Sequence, residues 1–198
     1  MNEHLEIEFK TLISKEQYLN LLKKFDIENK TFEQTNFYFD TMFQKLKKNK
    51  TVLRIRKKEQ YKLTKKEKVS EGNQETSIYL TDIEAQKMIK KGFDASIIGE
   101  PYKVRLYTTL KTTRAKTPYK CGTLFFDKSE YSEKVDYEIE FEVENKAQGE
   151  TIWREFLKEN NIEQKPVISK SERAFKAQEE YDAICAVVVY ETMKNKKA

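Results

Sequence analysis

The chain opens on a strict alternation of polar and apolar positions. In Leu5-Glu6-Ile7-Glu8-Phe9-Lys10 the odd positions are apolar and the even ones charged, so a strand here sends the two sets to opposite faces. The same period of two returns at Thr51 to Lys57, where Leu53 and Ile55 oppose Arg54 and Arg56. It returns again at Tyr61 to Lys66, with Lys62, Thr64 and Lys66 on one side and Glu59-Gln60 as the turn between the two strands. Asn36 to Phe39 reads as a short aromatic strand, and Gln74 to Leu80, Val104 to Arg114, Thr123 to Asp127 and Asp136 to Glu144 as four more. The last is the most regular, setting Glu138, Glu140, Glu142 and Glu144 against Tyr137, Ile139, Phe141 and Val143.

Helix signals fall between these strands. Ser14 and Gln17 have capping-box spacing ahead of an apolar stripe of Tyr18, Leu21, Leu22 and Phe25. Thr81 and Glu84 repeat the box, and Gly92 suits the position just past the helix they open. Ile152, Trp153, Phe156 and Leu157 have helical spacing, which predicts a third helix ending near Asn160-Asn161 with its aromatics in the core. The tail from Ser171 is expected to be helical, and its apolar part, Ile184 to Tyr190, is available to close a barrel end or to face a second copy in a homodimer. About eight strands with two or three helices predict an antiparallel α+β fold, and eight strands are enough to close a β-barrel.

Composition agrees with a folded chain. Of 198 residues, 36% are charged and 38% hydrophobic, and the 12% aromatics exceed what a disordered segment carries. Five Gly and three Pro leave little room for linkers, so one domain over 1–198 is expected. The stretch Met1 to Lys10 lacks the apolar run of a signal peptide, and Ala183 to Tyr190 is far short of the ~20 residues that span a bilayer. Cys121 and Cys185 have no metal-like spacing and suggest no disulfide framework, although the sequence leaves a single bridge between them open, so the default setting is reducing and cytoplasmic, without a membrane.

Charge placement is more informative than the net charge of +5, which is too mild to imply nucleic acid. Strands with one face on a core and one in water give the same alternation without any function. The charge types, however, segregate by strand. Residues 4–10 and 136–144 present carboxylates, while 52–56 and 61–66 present Arg and Lys. Inside a closed barrel such groups need water, mutual pairing or a charged ligand, because an unpaired buried charge costs several kcal/mol. A polyanion accompanied by divalent metal ions answers both signs at once. Guanidinium and ammonium groups meet phosphate oxygens, and carboxylates take hard ions such as Mg²⁺ or Mn²⁺.

Glu6-Ile7-Glu8-Phe9-Lys10 is similar to the ExExK signature of the CYTH superfamily, the triphosphate tunnel metalloenzymes. It is followed in order by Asn36-Phe37-Tyr38-Phe39-Asp40-Thr41, Leu53-Arg54-Ile55-Arg56, Leu63-Thr64-Lys65-Lys66, Glu75-Thr76 and Thr112-Thr113-Arg114. Phe126-Asp127 with Tyr131, Asp136 to Glu142, and Ser169-Lys170 before Arg173 complete the series. The resemblance covers roughly residues 3–176, leaves 177–198 as a helical tail, and is closest to the small stand-alone proteins of Gram-positive bacteria.

The resemblance implies an eight-stranded antiparallel β-barrel with helices outside, and metal-dependent hydrolysis of a triphosphate within it. The substrate it implies is a small molecule: inorganic triphosphate, thiamine triphosphate or a nucleotide. It assigns catalysis to Glu6, Glu8 and Lys10, and triphosphate binding to Arg54, Arg56, Lys66, Arg114 and Lys170. Metal binding, with Mg²⁺ or Mn²⁺, falls to Glu6, Glu8, Asp127, Glu138 and Glu140. Lys62 and Glu142 share parity with these groups, and Glu75 lies at an acidic family position. Other members are class IV adenylyl cyclases, so a cyclase using ATP is the alternative reaction. A non-catalytic module binding polyphosphate or RNA through Lys45 to Lys68 is the other alternative. His4, beside the terminus, is expected at the surface rather than as a general base.

Overall fold

The computed structural model describes residues 2–70 and 72–195, with side chains through residue 188. The strands are β1 (Asn2–Ile13), β2 (Phe32–Asp40), β3 (Thr51–Lys57), β4 (Tyr61–Lys68), β5 (Asn73–Leu80), β6 (Phe93–Asp94), β7 (Lys103–Tyr119), β8 (Gly122–Tyr131) and β9 (Lys134–Val143). The helices are α1 (Lys15–Lys24), α2 (Lys45–Lys48), α3 (Asp82–Lys91), α4 (Lys146–Glu159) and α5 (Lys170–Asn195). All pairings are antiparallel, in the order β2-β3-β4-β5-β1-β9-β8-β7, and β7 returns to pair with β2. Eight strands therefore close a barrel. β6 is a two-residue strand added to the start of β7.

Closure is possible because β7 is long: Arg105 to Arg114 pair with β2, and Lys111 to Tyr119 pair with β8. The strands extend beyond the alternating segments of the sequence, because pairing with a neighbour recruits residues with no periodic signal of their own. The helix count also exceeds the sequence expectation, which lacked the single turn of α2. Nothing apolar and periodic marks that turn. Buried Asp40 forms it, since its carboxylate accepts hydrogen bonds from the backbone N–H groups of Thr41, Leu46 and Lys47.

Both capping boxes form. The Gln17 N–H donates to Ser14 Oγ and the Ser14 N–H to Gln17 Oε1, while Thr81 and Glu84 exchange the same pair of bonds. α3 stops at Gly92, whose φ of 73° favours glycine and whose missing side chain lets the chain pass against the Val104 carbonyl.

Outward-facing residues supply the core. α1 and α4 cover β7, β8 and β9, burying Tyr18, Leu21, Leu22, Trp153, Phe156 and Leu157 against Leu124, Phe126, Ile139 and Phe141. Trp153 and Phe156 are core residues, as expected. α3 and the 3₁₀ turn Ala95–Ile98 cover the opposite side over Phe39, Leu53, Ile55 and Leu63. α5 begins one residue before the expected start and packs Ala174, Phe175 and Ala177 against Tyr38, Leu110 and Tyr131. The barrel is thus met by the first turns of the tail. Ile184, Val187 and Val188 are more than half exposed, and the side chain of Tyr190 lies outside the described residues. Among the described residues no helix is long and apolar enough to cross a membrane, and both cysteines are free thiols.

Candidate functional site

The inward faces of the strands surround a cavity of about 1020 Å³. Among the described residues, thirteen Lys and Arg and six Glu line it. Glu6, Glu8, Lys10, Arg54, Arg56, Lys66, Arg114, Glu140 and Lys170 all belong to this lining, so nine of the eleven residues that the family resemblance assigned share one space, eight on strands and Lys170 at the start of α5. Glu142, Lys62 and Glu75 line it as well, whereas His4 sits exposed at its margin.

Asp127 and Glu138 do not belong to the cavity lining and have no accessible side-chain surface. They lie behind it as counter-charges. Arg114 makes a two-pronged contact with Asp127, Nε to Oδ1 at 2.7 Å and Nη2 to Oδ2 at 2.6 Å, and also donates to Glu140 Oε2 at 2.5 Å. Lys170 Nζ donates to Glu138 and to Glu140 Oε1 at 2.6 Å, and lies 2.8 Å from Asp127 Oδ2. Arg173 closes the group, lying 2.8 Å from both Asp136 Oδ2 and Glu138 Oε2. Burial opposes the charge of Lys170, but Asp127, Glu138 and Glu140 outweigh it and hold the ammonium well above its ordinary pKa. Glu140 is likewise held well below the carboxylate range, because Lys170 and Arg114 overcome the effect of burial. For Glu138 burial wins, and its pKa is raised.

The facing wall is built from β1, β3, β4 and β5. Lys66 Nζ donates to Glu6 and lies 3.8 Å from Glu8 Oε1 and 3.7 Å from Glu75 Oε1. Lys10 donates to Glu8 at 2.5 Å, and Arg54 Nη2 donates to Glu75 at 3.2 Å. Arg54 Nε is buried with no hydrogen-bond partner. Arg56 is more isolated. Its Nε donates to Asn36 Oδ1 at 3.1 Å, and among the described residues it forms no ion pair. Burial together with the charges of Arg54 and Arg114 pulls its pKa down to about 10.

Carboxylates are the oxygen donors that Mg²⁺ or Mn²⁺ prefers. Among the described residues no three acidic, His or Cys side chains form a preformed cage, because Lys66, Lys10 and Lys170 stand between them. The donor set nevertheless suits a divalent cation. Glu8 and Glu142 are directly opposite in the β1–β9 register, and Glu6 is on the same face of β1. Burial and then Glu8 raise the pKa of Glu6, while burial followed by Glu6, Glu140 and Glu8 raises that of Glu142. These oxygens are held together against their own repulsion, which a cation relieves.

Sequence reasoning left several lining residues without a role: Asn36, Lys116 and Lys146, and the aromatic rings Phe32 and Phe125. Parity identifies Lys116, two positions after Arg114, and strand pairing identifies Asn36, which lies opposite Arg56. Lys146 lies on α4, where no alternation signals an inward side chain.

A closed antiparallel barrel whose lumen is charged around its circumference is the architecture of the CYTH tunnel proteins. The chain belongs to this family, since the CYTH domain matches residues 4–175. Bacillus subtilis (strain 168) YjbK, whose name provisionally assigns it triphosphatase activity, is 32% identical over 181 residues, covering 86% of this chain and 94% of that protein. A solved Bacillus halodurans structure, provisionally described as an adenylate cyclase, superposes with a TM-score of 0.81 at 34% identity, covering 88% of this chain and all of that one. The Hippeastrum protein HpAC1 shares the fold, with a TM-score of 0.67 at 23% identity, over 87% of this chain and 96% of that one.

Proposed function

We propose that this tunnel binds a small triphosphate and hydrolyses a phosphoanhydride bond with the help of Mg²⁺ or Mn²⁺. Arg56 carries the reading. A guanidinium buried in a lumen, with its pKa depressed and no carboxylate partner, calls for an anion. The unpaired Nε of Arg54 beside it points to the same ligand. A triphosphate brings about four to five negative charges near neutral pH, and the cationic surplus of seven in the described lining is more than enough to offset them.

Arg54, Arg56, Lys66, Arg114 and Lys170 are the proposed phosphate contacts. The arginines offer planar forks, and the lysines offer point charges. Glu6 and Glu8, with Glu140 and Glu142, are the proposed ligands of the divalent ion. When bound, that ion neutralises phosphate oxygens and lowers the pKa of water. Lys10, between Glu8 and Glu140, keeps a positive charge beside the scissile bond, and Glu8 accepts a hydrogen bond from the attacking water and orients it. Asp127 and Glu138 act through Lys170 and Arg114, which they hold in place. This departs from the metal role that the family resemblance gave them. The free thiols Cys121 and Cys185 suit a reducing, cytoplasmic setting.

The Bacillus halodurans relative favours a second reading, a cyclase acting on ATP. The products separate the two. Inorganic triphosphate, thiamine triphosphate and ATP are supplied singly with Mg²⁺ or Mn²⁺, and phosphate, cyclic AMP and diphosphate are measured. Release of phosphate that vanishes in Glu8→Gln supports the hydrolase, while cyclic AMP with diphosphate supports the cyclase. No turnover of any of the three by the folded protein refutes both.

A further inference from the structure

We infer that Lys66 couples the two ligands of the tunnel: with no triphosphate bound, its ammonium occupies the space among Glu6, Glu8 and Glu75, and a phosphate that draws it away opens Glu6 and Glu8 to the divalent cation. This rests on the reading above that Glu6 and Glu8 hold that ion.

The geometry makes Lys66 an internal counter-ion. It stands on β4 directly opposite Glu75 of β5, and its Nζ reaches across to β1, donating to Glu6 and approaching Glu8. Its side chain is only 19% exposed, and those of Glu6, Glu8 and Glu75 are 14%, 10% and 12% exposed. Lys66 is thus the cation common to three carboxylates in a poorly hydrated volume, where Lys10 also holds Glu8 and Arg54 also holds Glu75. A divalent cation arriving there meets a positive charge already in place.

Lysine suits a movable charge. Its ammonium is a compact point on a flexible four-carbon stem, so it can leave one oxygen for another without breaking a fixed fork. Arg114 and Lys170 on the far wall are held differently, by carboxylates with no exposed surface. Lys66 also lines the same cavity as Arg54 and Arg56, whose unsatisfied charge and donor fix where phosphate oxygens settle. An oxygen there offers Lys66 a new partner as the cation takes over its old ones. By linkage, triphosphate then raises cation affinity by the same factor that cation raises triphosphate affinity.

The test measures Mn²⁺ binding by electron paramagnetic resonance in the full chain without triphosphate. Lys66→Met should bind Mn²⁺ about 5- to 100-fold more tightly than the wild type, the usual size of such couplings. Lys62→Met removes a charge from the same face of the same strand, where no ion pair to Glu6 or Glu8 exists, and should change Mn²⁺ affinity much less. Lys66→Gln, which keeps a hydrogen-bond donor, should behave as Lys66→Met does and serves if the methionine variant folds poorly. Unchanged or weaker Mn²⁺ binding in both folded Lys66 variants overturns the inference, as does an equal gain in Lys62→Met. Hydrolysis by the wild type is scored separately, so loss of the coupling leaves the triphosphatase reading standing.

Discussion

Glu8 and Glu142 face each other across the β1–β9 pair, like charges at directly opposed positions of an antiparallel ladder. Such a pair is destabilising in an ordinary sheet. Here it marks the pole of the tunnel where negative charge is kept in excess.

Stability should therefore improve when that pole is discharged. The carboxyl of Glu142 is raised by burial and by Glu6, Glu140 and Glu8, so the folded state holds its proton more tightly than the unfolded state does. For this group stability falls as pH climbs from the ordinary carboxylate value through the raised one, and the full deficit is present above it. Glu142→Gln should melt at the wild-type temperature near pH 4.5 and a few degrees higher at pH 7–8. Calorimetry across that range checks it, and a difference that shrinks with rising pH contradicts it.

Arg56→Met should separate binding from folding. The guanidinium has no carboxylate to leave stranded, so the melting temperature should stay the same or rise. A lost charge-assisted contact of about 1.5–3 kcal/mol lowers triphosphate affinity roughly 10- to 100-fold. Calorimetric titration with inorganic triphosphate gives the second number and thermal melting the first.

Lys170→Met should do the reverse of Arg56→Met on stability. It removes the one cation shared by Asp127, Glu138 and Glu140 and leaves only Arg114 and Arg173 to balance the three, the first two of which have no exposed surface. Breaking a buried pair this way costs about 3–5 kcal/mol. Urea denaturation should show the loss at neutral pH and a smaller one in acid, where the stranded carboxylates take up protons.

Gly149→Ala opposes two effects on α4. Alanine is the better helix former by about 1 kcal/mol. A Cβ there, however, would lie 2.6 Å from Val143 Cγ2 and 2.9 Å from Phe9 Cε2, where α4 presses on β9 and β1. Neither neighbour is a flexible end, so overpacking wins and a net loss of about 1–2 kcal/mol is expected. A stabilised variant in thermal melts would show that the helix shifts freely.

The legible parts of this molecule were those governed by strict periodicity. Alternation at Leu5 to Lys10 and Asp136 to Glu144 fixed which side chains turn inward, and the ordered family motifs fixed that inward means tunnel. Alternation is blind to depth, which is why Asp127 and Glu138 could not be told from Glu140 beforehand. All three share a face, yet only Glu140 reaches the cavity. It is equally blind to partners two strands away, such as Lys66 of β4 with Glu6 of β1. The turn of α2 rests on local bonds from Asp40 to backbone N–H groups and the inward Lys146 on how α4 docks, and neither leaves a periodic pattern.

The seam of the cylinder lies between β2 and β7, where Phe32 meets Arg114 across a long stretch of intervening sequence. Contacts so distant along the chain form slowly during folding. Until they form, both strands are open borders of the sheet, each a template for another polypeptide. Lys111 and Arg114 on one border and Glu33 on the other give these borders opposite charges, and the ion pair between Lys111 and Glu33 bridges the join. The same charge that discourages stray β-pairing thus helps zip the wall shut.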